Sequence, residues 1–283
     1  MKTFSGKSVL ITGGSSGIGL ELAKKLAASG CHIAILARDP VKLETATVEI
    51  RKSRSSSDQK VTALQVDVSD CEKLSQTLAD WQETEGVPDL VVNSVGFGRP
   101  GLFENIDVAM FRSMVDTNYL GPIYVTKSIL PGMLKRGSGH LVFVSSVAGF
   151  LGMYGYTSYA PTKFAIRGFV DSLRCEVKDR GIQLSIVFPP DTQTPGLEAE
   201  KPFQPPILVA MNENNKELPA NVVAESIFQG IKRDRYIITP GFDSTFYFKL
   251  VGLLGGGLMY PLLDLFLADA VQKVARNQAK YTR

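Results

Sequence analysis

Short apolar runs separated by stretches of helix length set the rhythm of this chain. Residues 8–12, 32–37, 61–66, 90–92, 141–144 and 184–188 are rich in Val, Ile and Leu without strict alternation, which predicts strands buried on both faces of a parallel sheet. Between them, residues 20–29, 40–51, 71–83, 107–136 and 159–178 carry apolar positions at helical spacing. Strand–helix alternation of this kind predicts an α/β fold, a single doubly wound, Rossmann-type domain with a parallel sheet built from right-handed βαβ units. Such a sheet binds ligands beyond the carboxyl ends of its strands, where the strand order reverses.

Three segments depart from the rhythm. Residues 53–58 are a serine-rich surface loop. Residues 189–219 hold seven prolines and a mixture of Lys and Glu, which suits a mobile flap over the site. Residues 242–268 are apolar and glycine-rich. The expected organisation is therefore a Rossmann-type domain over residues 1–241 and an apolar extension over 242–283. Residues 250–263 are free of charge but shorter than the roughly 20 residues a spanning helix needs, and Gly255-Gly256-Gly257 is expected to break a helix. The expectation is association with a membrane surface, with packing on the body or on a dimer partner as the alternative.

Composition narrows the function classes. With 44% apolar residues in 283, a sizeable core is affordable, and the net charge of +3 includes no basic stripe of the kind a nucleic-acid partner requires. Cys31, Cys71 and Cys175 form no CxxC pair, and His32 and His140 are too far apart to suggest a metal centre. His140 opens an apolar run and is expected at a strand entrance. The apolar run Val9-Leu10-Ile11 is too short for a secretory signal. A reducing compartment is expected: the cytoplasm or the cytosolic face of a membrane, the endoplasmic reticulum in a eukaryote.

The first predicted strand runs into Thr12-Gly13-Gly14-Ser15-Ser16-Gly17-Ile18-Gly19 and then a helix. Glycines there permit a tight turn and close backbone approach to a pyrophosphate, and the helix start supplies free N–H groups and a partial positive charge. The second strand ends at Arg38-Asp39, where an acid reads a ribose 2′-hydroxyl and an arginine a 2′-phosphate. Arg38 comes first and Ser15 is placed to help, so NADPH is expected over NADH, with Asp39 the countervailing charge. Tyr159 and Lys163, at i and i+4, share one helix face. A free tyrosine, with a pKa of about 10, is a poor acid–base group, and a nearby ammonium favours its phenolate.

Together with Asn118 and Ser146, these motifs resemble the short-chain dehydrogenase/reductase family over roughly residues 5–240. The resemblance implies roles position by position. Gly13, Ser15, Ser16, Gly17, Ile18 and Gly19 would cradle the pyrophosphate of NADPH, and Asp67 with Val68 would hold the adenine. Asn93-Ser94-Val95-Gly96 resembles the family's Asn-Asn-Ala-Gly stretch, with Asn93 and Gly96 retained. Asn118 would anchor a proton relay to Lys163. Ser146, thirteen positions before Tyr159, would hydrogen-bond the substrate oxygen. Residues 189–194, with Thr192 and Thr194, resemble the loop gripping the nicotinamide, Pro190 standing where a glycine is usual. The implied chemistry is hydride delivery to a carbonyl carbon, a proton from Tyr159 to its oxygen, and Lys163 on the nicotinamide ribose.

Within the family, the 189–196 loop, the Asn-Ser-Val-Gly variant and the apolar tail resemble the 3-ketodihydrosphingosine reductases. That implies a small-molecule lipid substrate, and a dimer through 107–136 and 159–178. Residues 150–154 and Leu197, Phe203, Ile207 and Leu208 are expected to border an alkyl groove, while Glu198, Glu200 or Asp191 is expected to face the 2-amino group. A hydroxysteroid or 3-oxoacyl reductase remains open, as does an NADP-binding regulator or membrane scaffold, against which the intact Asn118, Ser146, Tyr159 and Lys163 set argues.

Overall fold

A computed structural model describes residues 3–213 and 215–281. The elements run β1 (Ser8–Thr12), α1 (Gly17–Ala28), β2 (His32–Ala37), α2 (Pro40–Lys52), β3 (Val61–Gln65), α3 (Cys71–Glu85) and β4 (Leu90–Asn93). Then come α4 (Val108–Val115), α5 (Gly121–Arg136), β5 (Gly139–Val144), α6 (Ala160–Val177) and β6 (Ile182–Val187). The chain finishes with β7 (Thr192–Gln193), α7 (Pro195–Glu200), α8 (Pro206–Asn212), β8 (Leu218–Pro219), α9 (Ala220–Lys232), β9 (Ile237–Ile238) and α10 (Gly241–Tyr281). The main sheet has the order β3-β2-β1-β4-β5-β6-β9 with every pairing parallel. Its order reverses between β1 and β4, so the ligand crevice opens there, above Thr12 and Asn93.

Successive strand residues feed opposite faces. Leu10 joins Leu74, Leu78, Val125, Ile129, Ile166 and Val170 from α3, α5 and α6. Its neighbour Ile11 joins Leu22, Leu26, Ile50, Val223 and Ile227 from α1, α2 and α9. Full burial of such a side chain contributes about 1.5–3 kcal/mol, which ties both helical layers to the central strand. At the edge, β3 is half exposed rather than buried on both faces, because it has a strand on one side only. The Asp39 carboxylate accepts from the Val41 and Lys42 N–H groups at 3.0 and 3.1 Å and caps α2.

Two departures from regularity matter for the site. The helix expected over 107–136 runs without a break from Val108 to Arg136, with a π turn over Asp116–Leu120 that divides it into α4 and α5. The 189–219 segment is folded: β7 pairs with β8, and α7 and α8 lie between them.

The break expected at Gly255-Gly256-Gly257 is present as a kink within α10. Only Gly255 is non-helical (φ 61, ψ −174), and helix resumes beyond it. Its first turns are tied to the body. The Ser244 hydroxyl donates to the Phe188 carbonyl at 2.5 Å, and Phe248 stacks on Phe188 and meets Phe150 edge-on. Among the described residues no helix is long and apolar enough to cross a membrane.

Candidate active site

One cavity of about 360 Å³ runs along the carboxyl edge of β1, β4 and β5. Its floor is the turn after β1. Gly13 has φ +69, in the left-handed region that glycine adopts freely. A Cβ on Gly19 would stand 2.4 Å from the Gly13 carbonyl oxygen, so the helix start closes down on the turn only because Gly19 has no side chain. Ser16 makes no side-chain cap to α1, which leaves the first-turn N–H groups to the cavity. Ser15, Ser16, Gly17 and Ile18 line it. A cradle of backbone N–H groups at a helix N-terminus fits a pyrophosphate.

The far end of the cavity is charged, with Arg38 and Lys42 set among Asp39 and Asp67. Arg38, 68% exposed, sits 3.3 Å from the Asp67 carboxylate. Burial pushes Asp67 up, but hydrogen bonds from Ser69 and the Arg38 charge outweigh it and hold the group below the usual carboxylate range. Asp67 and Val68 line the wall, as does Lys42, to which no sequence motif points. Asp39 lines the cavity too, with one carboxylate oxygen engaged by the α2 backbone. Arg38 and Lys42 each lie within 4.0 Å of an acid there, Arg38 of Asp67 and Lys42 of Asp39.

At the near end, α6 begins immediately after Tyr159, and Lys163 lies one turn along. Ser146 and the Tyr159 phenol line the same cavity, with the serine hydroxyl acting to favour the phenolate. Burial raises the Tyr159 pKa well above 10, the negative charge of Glu200 adds to this, and the Ser146 hydroxyl opposes both. Tyr159 is thus a protonated acid at neutral pH. Lys163 is buried and lowered to about 8 by desolvation, with Glu200 opposing the shift. Its ammonium donates to the Val144 carbonyl at 3.1 Å and lies 5.5 Å from the Tyr159 ring centre.

Asn118 and Asn93 stand behind the cavity wall. The Asn118 side chain accepts from the Phe97 N–H at 3.0 Å and donates to the Phe97 carbonyl at 2.8 Å and to Thr162. A Cβ on Gly96 would stand 3.3 Å from the Asn118 Oδ1 and 3.1 Å from the Lys163 ammonium, so both groups flank Gly96. Asn93 is buried at the end of β4, and its amide has no partner among the described residues. Thr192 donates to the Pro190 carbonyl, while Thr194 caps α7 by accepting from the Leu197 N–H.

The expected alkyl border is only partly there. Met153 and Leu197 line the cavity. Phe150 does not: it packs edge-on against Phe188 and Phe248 in the core. Phe203 lies under the Arg99 guanidinium in a separate hollow, and Leu208 is buried against Tyr156 and Ala160. Tyr156 lines the cavity although no sequence motif pointed to it; it was brought there by the turn before α6.

Comparison with known proteins places this arrangement. A family model described as short chain dehydrogenase matches residues 7–204. The chain is 37% identical over 231 residues to the 3-dehydrosphinganine reductase of Danio rerio, covering 80% of this chain and 70% of that protein. It is 36% identical over 239 residues to the 3-ketodihydrosphingosine reductase of Bos taurus, covering 84% and 72%. It is 34% identical over 293 aligned positions to that of Dictyostelium discoideum, covering 96% and 86%. Among solved structures, a short-chain dehydrogenase from Sphingobium yanoikuyae in complex with NADPH superposes with a TM-score of 0.76 at 23% identity, covering 90% of this chain and 95% of the other.

Proposed function

The chain belongs to the short-chain dehydrogenase family, and we propose that it reduces the ketone of 3-ketodihydrosphingosine to the 3-hydroxy amine with NADPH. The observation that carries the chemistry is a protonated Tyr159, in one cavity with Ser146, Lys163 and a pyrophosphate-shaped cradle. The relatives named for this substrate support the choice of ketone.

When bound, the nicotinamide dinucleotide supplies the hydride that the carbonyl carbon accepts. The chain's own residues handle the oxygen. Ser146 donates a hydrogen bond where negative charge develops, and Tyr159 transfers its phenolic proton there. The Lys163 ammonium favours the tyrosinate left behind, and a pKa of about 8 keeps it mostly charged at neutral pH. Asn118 fixes the Phe97 backbone beside Lys163, which holds the relay end of the site in place. Arg38 and Lys42 favour the phosphorylated form of the cofactor.

The test is kcat/KM with NADPH for 3-ketodihydrosphingosine, a 3-oxoacyl thioester and a ketosteroid. The sphingoid ketone is expected to lead; a tenfold lead for either competitor overturns the substrate and leaves the hydride chemistry standing.

We further propose that α10 rests on the cytosolic surface of a membrane. Its exposed face carries Leu253, Leu258, Leu265 and Phe266, between 60% and 83% exposed. Because β9 and Phe248 belong to the body, deleting everything after Tyr236 would damage the fold. Leu265→Glu with Phe266→Glu is the cleaner perturbation, and unchanged flotation with liposomes overturns the reading. A homodimer through α4, α5 and α6 accords with the exposed Val108 and Phe164, and a monomeric mass by light scattering would refute it.

A further inference from the structure

We propose that Glu200 is the residue that recognises the substrate's ammonium group and so selects 2-amino ketones over other ketones. This rests on the substrate reading above and goes beyond it by assigning the specificity to one carboxylate.

Glu200 ends α7 and turns into the cavity beside Tyr159 and Lys163. Its place there is built. The Tyr156 hydroxyl donates to Oε2 at 3.1 Å, and the Gly98 backbone packs against the carboxylate. A Cβ on Gly98 would stand 2.5 Å from Oε1 and 2.6 Å from Cδ, so the carboxylate occupies space that only glycine leaves free. Tyr156 is itself held against Tyr159, ring centres 5.6 Å apart. These contacts fix a negative charge within one side chain of the proton donor. In a 2-amino-3-keto lipid the ammonium sits on the carbon next to the carbonyl, so a group that reads it must lie that close to Tyr159.

The other two acids fit less well. Glu198 is exposed and engaged by Lys201 at 2.6 Å. Asp191 lines the cavity, but its charge acts on Tyr159 less than that of Glu200, and Glu200 alone registers on Lys163.

Among the described residues Glu200 forms no ion pair, although burial raises its pKa to about 6. A largely desolvated carboxylate with no cation in direct contact, Lys163 acting on it only from beyond ion-pair distance, is costly, and an incoming ammonium relieves that cost. A ketone lacking the amine brings no such compensation and leaves the carboxylate stranded. The result is discrimination against it, not merely weaker attraction.

Two variants test this. Glu200→Gln removes the charge and keeps the shape. Gly98→Ala keeps the charge and displaces it, since the new methyl group claims the carboxylate's position. The readout is the ratio of kcat/KM for 3-ketodihydrosphingosine to kcat/KM for the same ketone with hydrogen in place of the amine. Loss of a hydrogen bond to a charged group is expected to lower that ratio by roughly tenfold or more in each variant. Thermal midpoints near wild type show that both are folded. A wild-type preference for the amino ketone that survives Glu200→Gln overturns this inference alone. A wild-type enzyme with no preference for the amino ketone overturns the sphingoid substrate, and this inference with it. Equal loss for both ketones also overturns it, because Glu200 would then serve the site in general.

Discussion

His140 should make this protein sensitive to mild acid. It is the second residue of β5 and almost wholly buried. The Ser185 hydroxyl donates to the Arg235 carbonyl at 2.6 Å, so it accepts from the His140 Nε2–H at 2.8 Å. That fixes the neutral tautomer with Nδ1 bare, and Nδ1 has no partner among the described residues. A second proton would be buried without an acceptor, and desolvation accordingly lowers the pKa from 6.5 to about 4. The unfolded chain takes up this proton near pH 6.5 and the folded chain only near 4. The contribution to stability is therefore complete above pH 6.5 and is lost as the pH falls towards 4. Between pH 8 and pH 5 the loss is about 2 kcal/mol, or roughly 4–8 °C in Tm. Chemical denaturation of wild type and His140→Gln at both pH values measures it, since Gln keeps a neutral donor. Other groups titrate in both proteins and cancel in the difference, including Glu200, whose raised pKa acts in the opposite sense. Parallel pH profiles for the two proteins would refute the reasoning.

Three further outcomes are expected. Tyr159→Phe should lower kcat by at least about a hundredfold, the scale of general acid catalysis, while tryptophan-to-NADPH energy transfer reports binding near wild type. Arg38→Ala should raise the KM for NADPH roughly ten- to hundredfold and leave that for NADH nearly unchanged, with Lys42→Ala giving a smaller shift in the same direction; equal shifts for both cofactors would remove the 2′-phosphate assignment. Gly19→Ala drives a methyl group to within 2.4 Å of the Gly13 carbonyl and should cost about 1–3 kcal/mol in urea unfolding, along with cofactor affinity.

Much of the frame was legible because its signals are local. Buried parallel strands are continuous apolar runs, and the glycine turn and the Tyr159–Lys163 pair lie within single stretches of chain. The unread parts depend on distant residues meeting. β9 is two residues long and is a strand only because β6 offers it an edge. Phe150 follows the Ser146 turn and looks like a site residue, yet Phe188 and Phe248 claim it for the core. Glu200 and Glu198 are two residues apart and carry the same side chain. What separates them is that Gly98, about a hundred positions earlier, leaves room for one of them. Lys42 reaches the cofactor cavity because α2 starts at once after β2, where Asp39 caps it.

The π turn over Asp116–Leu120 has a consequence for which changes the chain can tolerate. Such a turn is one residue inserted into an α-helix, and each residue advances a helix by about 100°. Deleting one position there would restore plain α-helix and leave two bad choices. Either Asn118 swings away from Phe97 and Thr162, or Val125, Ile129 and Met133 rotate off the sheet towards water. Exchanges of side chain at 116, 117, 119 and 120 preserve the count and avoid that choice. Laboratory libraries of homologous reductases spliced within this stretch should therefore yield active enzyme only when both parents carry the same number of residues between α4 and α5.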